Sequence, residues 1–273
     1  MCRKLAFAAT ALAACLALAT AQTAAAAAPK DAKEAVKEGP RRATAEQRLQ
    51  ADRLDPLAQA AFWAREADAD PTDVEAGIKL SAALRALGQF AQAAQAAQKV
   101  SVQAPRNLDA LLETARAFVG QGQGFYAIQP AKQAQELAPR DWRPLSLLGV
   151  AYAQTDRDDE AVAAWRQALA LSPDNPAVLS NMALYYAYHQ DPAQAEGLLR
   201  KAAARPDATI QVRQNLSLVL GLQGKFPEAE KLMRQDLPPE VAENNLAYLR
   251  AVAAGAGGAN PERTWNALRG PGG

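Results

Sequence analysis

The chain is 273 residues long, about a quarter of them alanine, with 30 basic and 29 acidic residues. The resulting net charge of +1, with no basic stripe interleaved with aromatics, excludes nucleic acid as a partner. Both cysteines, Cys2 and Cys15, lie close to the start, so the rest of the chain has neither disulfide nor thiol chemistry.

Met1-Cys2-Arg3-Lys4 is a short positive segment, and Leu5 to Ala21 is apolar and small. A charged start, a short apolar stretch and small residues leading into a polar linker describe a secretory signal rather than a membrane span. Leu12-Ala13-Ala14-Cys15 matches the bacterial lipobox, with an aliphatic residue, two small residues and a cysteine. On that reading residues 1–14 are removed and the Cys15 thiol takes a diacylglycerol group. Each buried methylene would then add ~0.8 kcal/mol to membrane attachment. Leu16 stands where an aspartate would favour the inner membrane, which directs the expectation to the outer one. The alternative is ordinary cleavage between Ala17 and Ala28, which discards Cys15 and yields a soluble periplasmic protein. Residues 15–55 read as a flexible polar tether, since Gln22 to Asp55 is rich in alanine, lysine and glutamate.

Leu57 to Pro71 has the pattern of a helix carrying Ala60, Ala61, Phe62 and Trp63, closed by Pro71. Arg41 to Arg53 lacks the apolar spacing of a partner helix, so residues 56–73 count as half a repeat. From there a 34-residue period takes over, with Ala93, Ala127, Ala161, Ala195 and Ala229 in one column. Twelve residues earlier stand Ser81, Ala115, Gly149, Ala183 and Ser217, and twelve later stand Pro105, Pro139 and Pro173. The copy from Trp142 to Asn175 shows the unit best, with Leu145, Leu148-Gly149, Tyr152, Ala161, Trp165, Ala168 and Pro173. These are the positions of the tetratricopeptide pattern, a helical hairpin. Gly149 and Ala161 allow the two helices to approach, Tyr152 and Trp165 fill the space beside them, and Pro173 ends the second helix. Gly88, Gly122 and Gly224 share the phase of the turn within the hairpin, where a left-handed residue is needed.

Copies beginning at Val74, Leu108, Trp142, Pro176 and Ile210 give five repeats over 74–243. Pro239 to Ala254 reads as a final helix with Leu246, Tyr248, Leu249 and Val252. Its part beyond the repeats, 244–254, would cap the last apolar face. Residues 255–273, with Trp265 and Leu268 between glycine runs, form a flexible tail on this reading. The predicted fold is all-α, a right-handed tetratricopeptide superhelix of about five to six hairpins plus a capping helix.

No catalytic or metal constellation emerges, and no cofactor is implied. His189, the sole histidine, falls at the end of a helix and reads as a C-terminal cap. Asp156 to Glu160 lacks the glycine and bidentate glutamate of a calcium loop and suits a helix N-terminus. Gly120-Gln121-Gly122-Gln123-Gly124 lacks the Lys-Ser/Thr ending of a phosphate loop. The expected activity is therefore protein binding on the concave face, which the first helices line. Its candidate residues are Leu112, Arg116, Ser146, Val150, Asn181, Leu184, Tyr188, Gln214 and Leu218. For about half of them, packing between repeats is the competing expectation. Asn181 and Asn215 fall near the positions of a carboxylate clamp, but the partnering lysines are missing. Tyr186 is expected in the core, with Tyr185 and Tyr188 exposed.

The last third of the chain narrows the comparison. Ser172 to Leu179, Val212-Arg213-Gln214-Asn215-Leu216 and Leu218 to Leu222 resemble the Tad (Flp) pilus assembly protein TadD family. So do Glu228-Ala229-Glu230, Asp236-Leu237-Pro238-Pro239 and Asn245-Leu246-Ala247-Tyr248-Leu249-Arg250. The likeness covers about residues 142–252. Its Arg-Gln-Asn-Leu and Asn-Leu-Ala-Tyr-Leu-Arg segments are the specific part, because the repeat itself does not require them. The resemblance implies a non-catalytic exported lipoprotein, anchored by lipid in the outer membrane and facing the periplasm. Its implied partners are components of a type IV pilus secretion apparatus, above all the secretin. A pilotin or envelope adaptor of another secretion system, and a regulatory repeat subunit of an envelope-biosynthesis enzyme, remain open alternatives. The sequence leaves the oligomeric state open.

Overall fold

Residues 42–254 are described by a computed structural model. The export segment with Cys15, the first part of the expected tether and the 255–273 tail lie outside these residues. Among the described residues all regular structure is helical. Helices α1 (Ala45–Ala51) and α2 (Pro56–Ala69) precede five hairpins. These are α3 (Val74–Ala86) with α4 (Phe90–Gln103), α5 (Leu108–Gly120) with α6 (Gly124–Leu137), and α7 (Trp142–Ala153) with α8 (Asp158–Leu171). Then come α9 (Pro176–Tyr188) with α10 (Pro192–Ala203), and α11 (Ile210–Leu222) with α12 (Phe226–Asp236), before α13 (Pro239–Ala253) closes the array.

The first helix of each hairpin starts 34 residues after the last, and local chemistry fixes where. Asp73, Asn107, Asp141 and Asn175 each accept a backbone N–H from the first turn they precede, satisfying donors the helix cannot. The second helices start differently, out of a tight turn. Gly88, Gly122 and Gly224 have φ of 72°, 74° and 76°, and Asp156 and Gln190 take the same phase at 55° and 60°. After each of these residues a backbone N–H reaches back five positions, as from Gln89 to Leu84 and from Arg157 to Tyr152. This left-handed closure satisfies the last carbonyls of the first helix.

The small residues form the seam of each hairpin. Ser81, Ala115, Ala183, Ala93, Ala127, Ala161, Ala195 and Ala229 are all fully buried. At Gly149 a Cβ atom would sit 2.4 Å from the Trp165 indole nitrogen, so the missing side chain is what admits that ring. Trp165 in turn donates from Nε1 to the Ser146 carbonyl at 3.2 Å, which settles its polar atom inside the core.

Successive hairpins meet first helix to first helix, α3 on α5, α5 on α7, α7 on α9 and α9 on α11. Second helices pack on the first helix that follows, and no comparable contact joins second helix to second helix among the described residues. The first helices therefore occupy the tighter, inner side of the curve. At the end α13 covers α11, with Leu249 against Gly221 and, together with Ala242 and Met233, against Leu218.

The N-terminal end differs from the expected tether and half repeat. Ala45–Ala51 is helical, with Thr44 and Gln47 forming a reciprocal capping box. Ion pairs rather than an apolar stripe dock this short helix. Arg48 donates to Glu66 at 2.7 Å, to Glu75 at 2.9 Å and to Asp73, and Arg42 pairs with Asp70. Beneath them Trp63 is 1% exposed, packed with Ala51 and Ala76.

Candidate protein-binding groove

The inner face is organised by one residue per repeat, Lys79, Glu113, Leu147, Asn181 and Asn215, which share a phase and reach back to the preceding element. Lys79 pairs with Asp52 at 2.7 Å. Glu113 accepts from Arg85 Nε at 2.8 Å, and Leu147 packs against the cluster of Leu111, Leu112 and Ala134. Asn181 donates to the Ser146 hydroxyl at 3.3 Å, and Asn215 donates to the Ser180 hydroxyl at 2.9 Å. The two asparagines that fall near clamp positions are therefore joints between repeats, with their amides already engaged.

This arrangement sorts the expected groove residues. Leu112, Ser146 and Leu218 are buried, so little of their surface lines the inner face. Leu112 and Ser146 are covered by the next first helix, and Leu218 is covered by α13. Arg116, Val150, Asn181, Leu184 and Gln214 are half-buried, and Tyr188 is 51% exposed at the end of α9. Tyr185, expected at the surface, instead lies on Trp165 with ring centroids 5.4 Å apart. Burial, followed by the facing Asp158 carboxylate, pushes its hydroxyl up to about 12. Tyr186 packs against both core clusters of the central and later hairpins. His189 is the C-cap of α9, its ring stacked on Tyr185 at 4.1 Å and its Nε2 3.5 Å from Asp158. Asp158, Asp159 and Glu160 occupy the first turn of α8, where the helix dipole favours them.

Two further inner-face residues were not singled out from the sequence. Arg85 and Glu113 join Arg116, whose Nη1 donates to the second oxygen of Glu113 at 3.3 Å. The Glu113 side chain is 3% exposed, while those of Arg85 and Arg116 are 35% and 32% exposed. The pairing of Arg85 with Glu113 across 28 positions follows no motif; only the repeat phase brings adjacent first helices into register. From this cluster the inner face passes to the apolar Val150 and Leu184 of the next two first helices.

Among the described residues no group of His, Cys, Asp and Glu could hold a metal ion. No described helix is long and apolar enough to cross a membrane.

Two family models match the sequence, one described as TPR repeat over residues 149–190 and one as tetratricopeptide repeat over residues 209–237. The chain carries tetratricopeptide repeats. Solved structures agree at the level of fold. A thermophilic TPR protein of Thermus thermophilus is similar with a TM-score of 0.54 and 24% identity, over 64% of this chain and 94% of that one. A tetratricopeptide repeat protein from Parabacteroides merdae is similar with a TM-score of 0.62 and 14% identity, over 74% and 79% of the two chains. No curated protein sequence matches the chain. The repeats make this an α-α solenoid whose stacked first helices present an interaction surface of the scaffold type.

Proposed function

We propose that the protein is a non-catalytic scaffold that holds a protein partner on the inner face of its first helices during assembly of a Tad/Flp-type pilus secretion apparatus. The secretin of the outer membrane is the partner on this reading. The observation that carries it is the pair of C-terminal segments that resemble the TadD family without being demanded by the repeat. One of them lies on α11 and the other on α13, and the hairpin that carries the first is tied together internally. Arg213, within Val212 to Leu216, donates from Nε and Nη2 to the Asp236 carboxylate at 2.8 and 2.6 Å. Such a two-bond fork adds geometric specificity to charge. The two helices of the last hairpin are thereby pinned to each other at their open end.

The mechanism is tethering. Acylation at Cys15 fixes the chain to the outer membrane facing the periplasm, and the segment after it gives the repeats reach. Linking the groove to the surface where the partner assembles raises its effective concentration without any new contact. Deleting the gene should lower the yield of secretin multimers and abolish piliation. Normal multimers and normal pili in the deletion strain would refute the assignment. Cys15→Ser should move the protein from the membrane to the soluble fraction, and membrane retention would remove the anchor from the mechanism.

A further inference from the structure

Helix α13 keeps the phase of the first helices beyond the point where the five hairpins end. Leu246 stands one 34-residue period after Val212 and Leu249 one period after Asn215, and all four are buried. Ala251 falls in the column of small seam residues, one period after Ser217. In each of the five hairpins that position is buried, because the second helix of the same hairpin lies across it. In α13 it is exposed, as are Ala247 and, at the C-cap, Ala254. Their counterparts in the third hairpin, Leu145 and Tyr152, are buried. Helix α13 therefore presents the face that a second helix covers elsewhere.

The sequence after α13 has the order that leads from turn to second helix in the hairpin before. Gly258 stands one period after Gly224, whose φ is 76°, and Pro261-Glu262 one period after Pro227-Glu228 in the first turn of α12. Asn260 before Pro261 has the composition of a helix start, and Gly270-Pro271 that of a stop. Between them the large apolar residues are Trp265 and Leu268, three apart and so on one helical face. Arg263 stands in the alanine column, one period after Ala229, so this apolar face is rotated from the one the earlier second helices bury. Length and register agree. Seam residues meet their own second helix 12 to 16 positions on, where the Ser81 hydroxyl donates to the Ala93 carbonyl and Gly149 abuts Trp165. Counted from Ala251 that window is 263–267, with Trp265 at its centre. The six residues between α13 and Asn260 can span ~20 Å, more than the ~10 Å between packed helices.

We propose that residues 260–269 of this chain form a second helix that docks antiparallel on the exposed face of α13, with Trp265 seated on Ala251. The small side chain of Ala251 makes room for that ring as Gly149 does for Trp165. Leu268 then lies over Ala247, Glu262 approaches Arg250 and Arg269 approaches Glu243, so opposite charges meet at both ends. An uncovered seam face is what a further hairpin would stack on, so the docked segment keeps the array from adding a second copy end to end. The docking is independent of any partner held on the inner face.

The test uses the full chain, followed by amide hydrogen exchange and by trypsin cleavage after Arg263 and Arg269. In the wild type both should be at least about tenfold slower than in a synthetic peptide of residues 255–273, a step that burial of one aromatic ring exceeds. Ala251→Lys places a charged chain at a position that is exposed on α13 itself, so the five hairpins should keep their protection. Residues 260–269 should lose theirs in that variant by about tenfold, and Trp265→Ser should release them to the same extent. Wild-type exchange at the rate of the free peptide, or an Ala251→Lys variant that exchanges as slowly as the wild type, would overturn docking on α13. Protection that rises with protein concentration, alongside a doubled mass in sedimentation, would assign the face to a second copy and overturn it too.

Discussion

The five turns within the hairpins permit a test of backbone energetics that packing does not confuse. Gly122 and Gly224 have φ of +74° and +76°, and a Cβ atom built on either would meet nothing within 4 Å. Alanine there would suffer only the left-handed backbone, which costs an L residue ~1–2 kcal/mol. The smaller entropy of the unfolded alanine chain returns ~0.4–1 kcal/mol. Gly122→Ala and Gly224→Ala should therefore each destabilise by about 1 kcal/mol. Gly197 is the control, because it lies inside α10 with equally open space around it. Gly197→Ala should stabilise by ~0.5–1 kcal/mol, the ordinary gain in a helix interior. The reverse change has its own sites in the same turns, Asp156 and Gln190 at φ of 55° and 60°. Gln190→Gly should gain about 0.5 kcal/mol and Asp156→Gly less, since aspartate tolerates the left-handed region better. Urea unfolding followed by circular dichroism reads these differences if the m value is unchanged. If Gly122→Ala and Gly197→Ala shift stability with the same sign, the left-handed constraint is not what shapes these turns.

Further perturbations test the seam, the outer surface and the N-terminal dock. Gly149→Ala would drive a Cβ into the Trp165 indole, whose nearest atoms lie 2.4–2.6 Å away. It should cost ~1–3 kcal/mol and red-shift tryptophan emission as the ring leaves its bond to Ser146; an unshifted spectrum with full stability would refute the close-approach argument. Glu196 is held down to about 2 by hydrogen bonds from Lys225, then Arg200 and Gln223, against an opposing push from burial. Because its folded value lies below the ordinary 4.5, its contribution is complete above about pH 5 and disappears as the pH falls toward 2. Solvent around the half-exposed Lys225 and Arg200 limits that contribution to ~1 kcal/mol. Stability of the wild type should accordingly fall toward that of Glu196→Gln in acid, and parallel curves would contradict it. Arg48→Met strands the buried Glu66 and Asp73 carboxylates, so amide exchange in 45–51 should accelerate while α7 and α8 stay protected.

The hairpins are legible in the sequence because the seam tolerates only small residues, and a steric requirement repeated every 34 positions leaves a visible column. Other features are hidden for physical reasons. Three turns announce themselves by glycine, but Asp156 and Gln190 adopt the same geometry because the closing hydrogen bonds over-determine it. Helix α1 escapes a search for apolar spacing because Arg48 docks it on Glu66, Asp73 and Glu75, charges 18 to 27 residues away. The groove was half legible. A position within the first helix says which way a side chain points, but not what the neighbouring hairpin lays over it. Leu112, Ser146 and Leu218 point inward and are covered, whereas Arg116, Val150 and Leu184 point inward and keep part of their surface.

The column of joint residues shows how a repeated fold avoids interchangeable repeats. Identical seams would let one hairpin stack on another in any order, yet the junctions do not all share one chemistry. It is ionic at Glu113 with Arg85, apolar at Leu147 with Leu112, and amide to hydroxyl at Asn181 with Ser146 and at Asn215 with Ser180. Shifting the stack by one hairpin would set Glu113 against a hydroxyl or an amide against leucine. Each such mismatch strands a buried polar group at ~1–3 kcal/mol. Order along the array is thereby encoded where the period is silent. The same residues border the inner face, so the choice that fixes stacking order also makes that face charged at the early repeats and apolar in the middle.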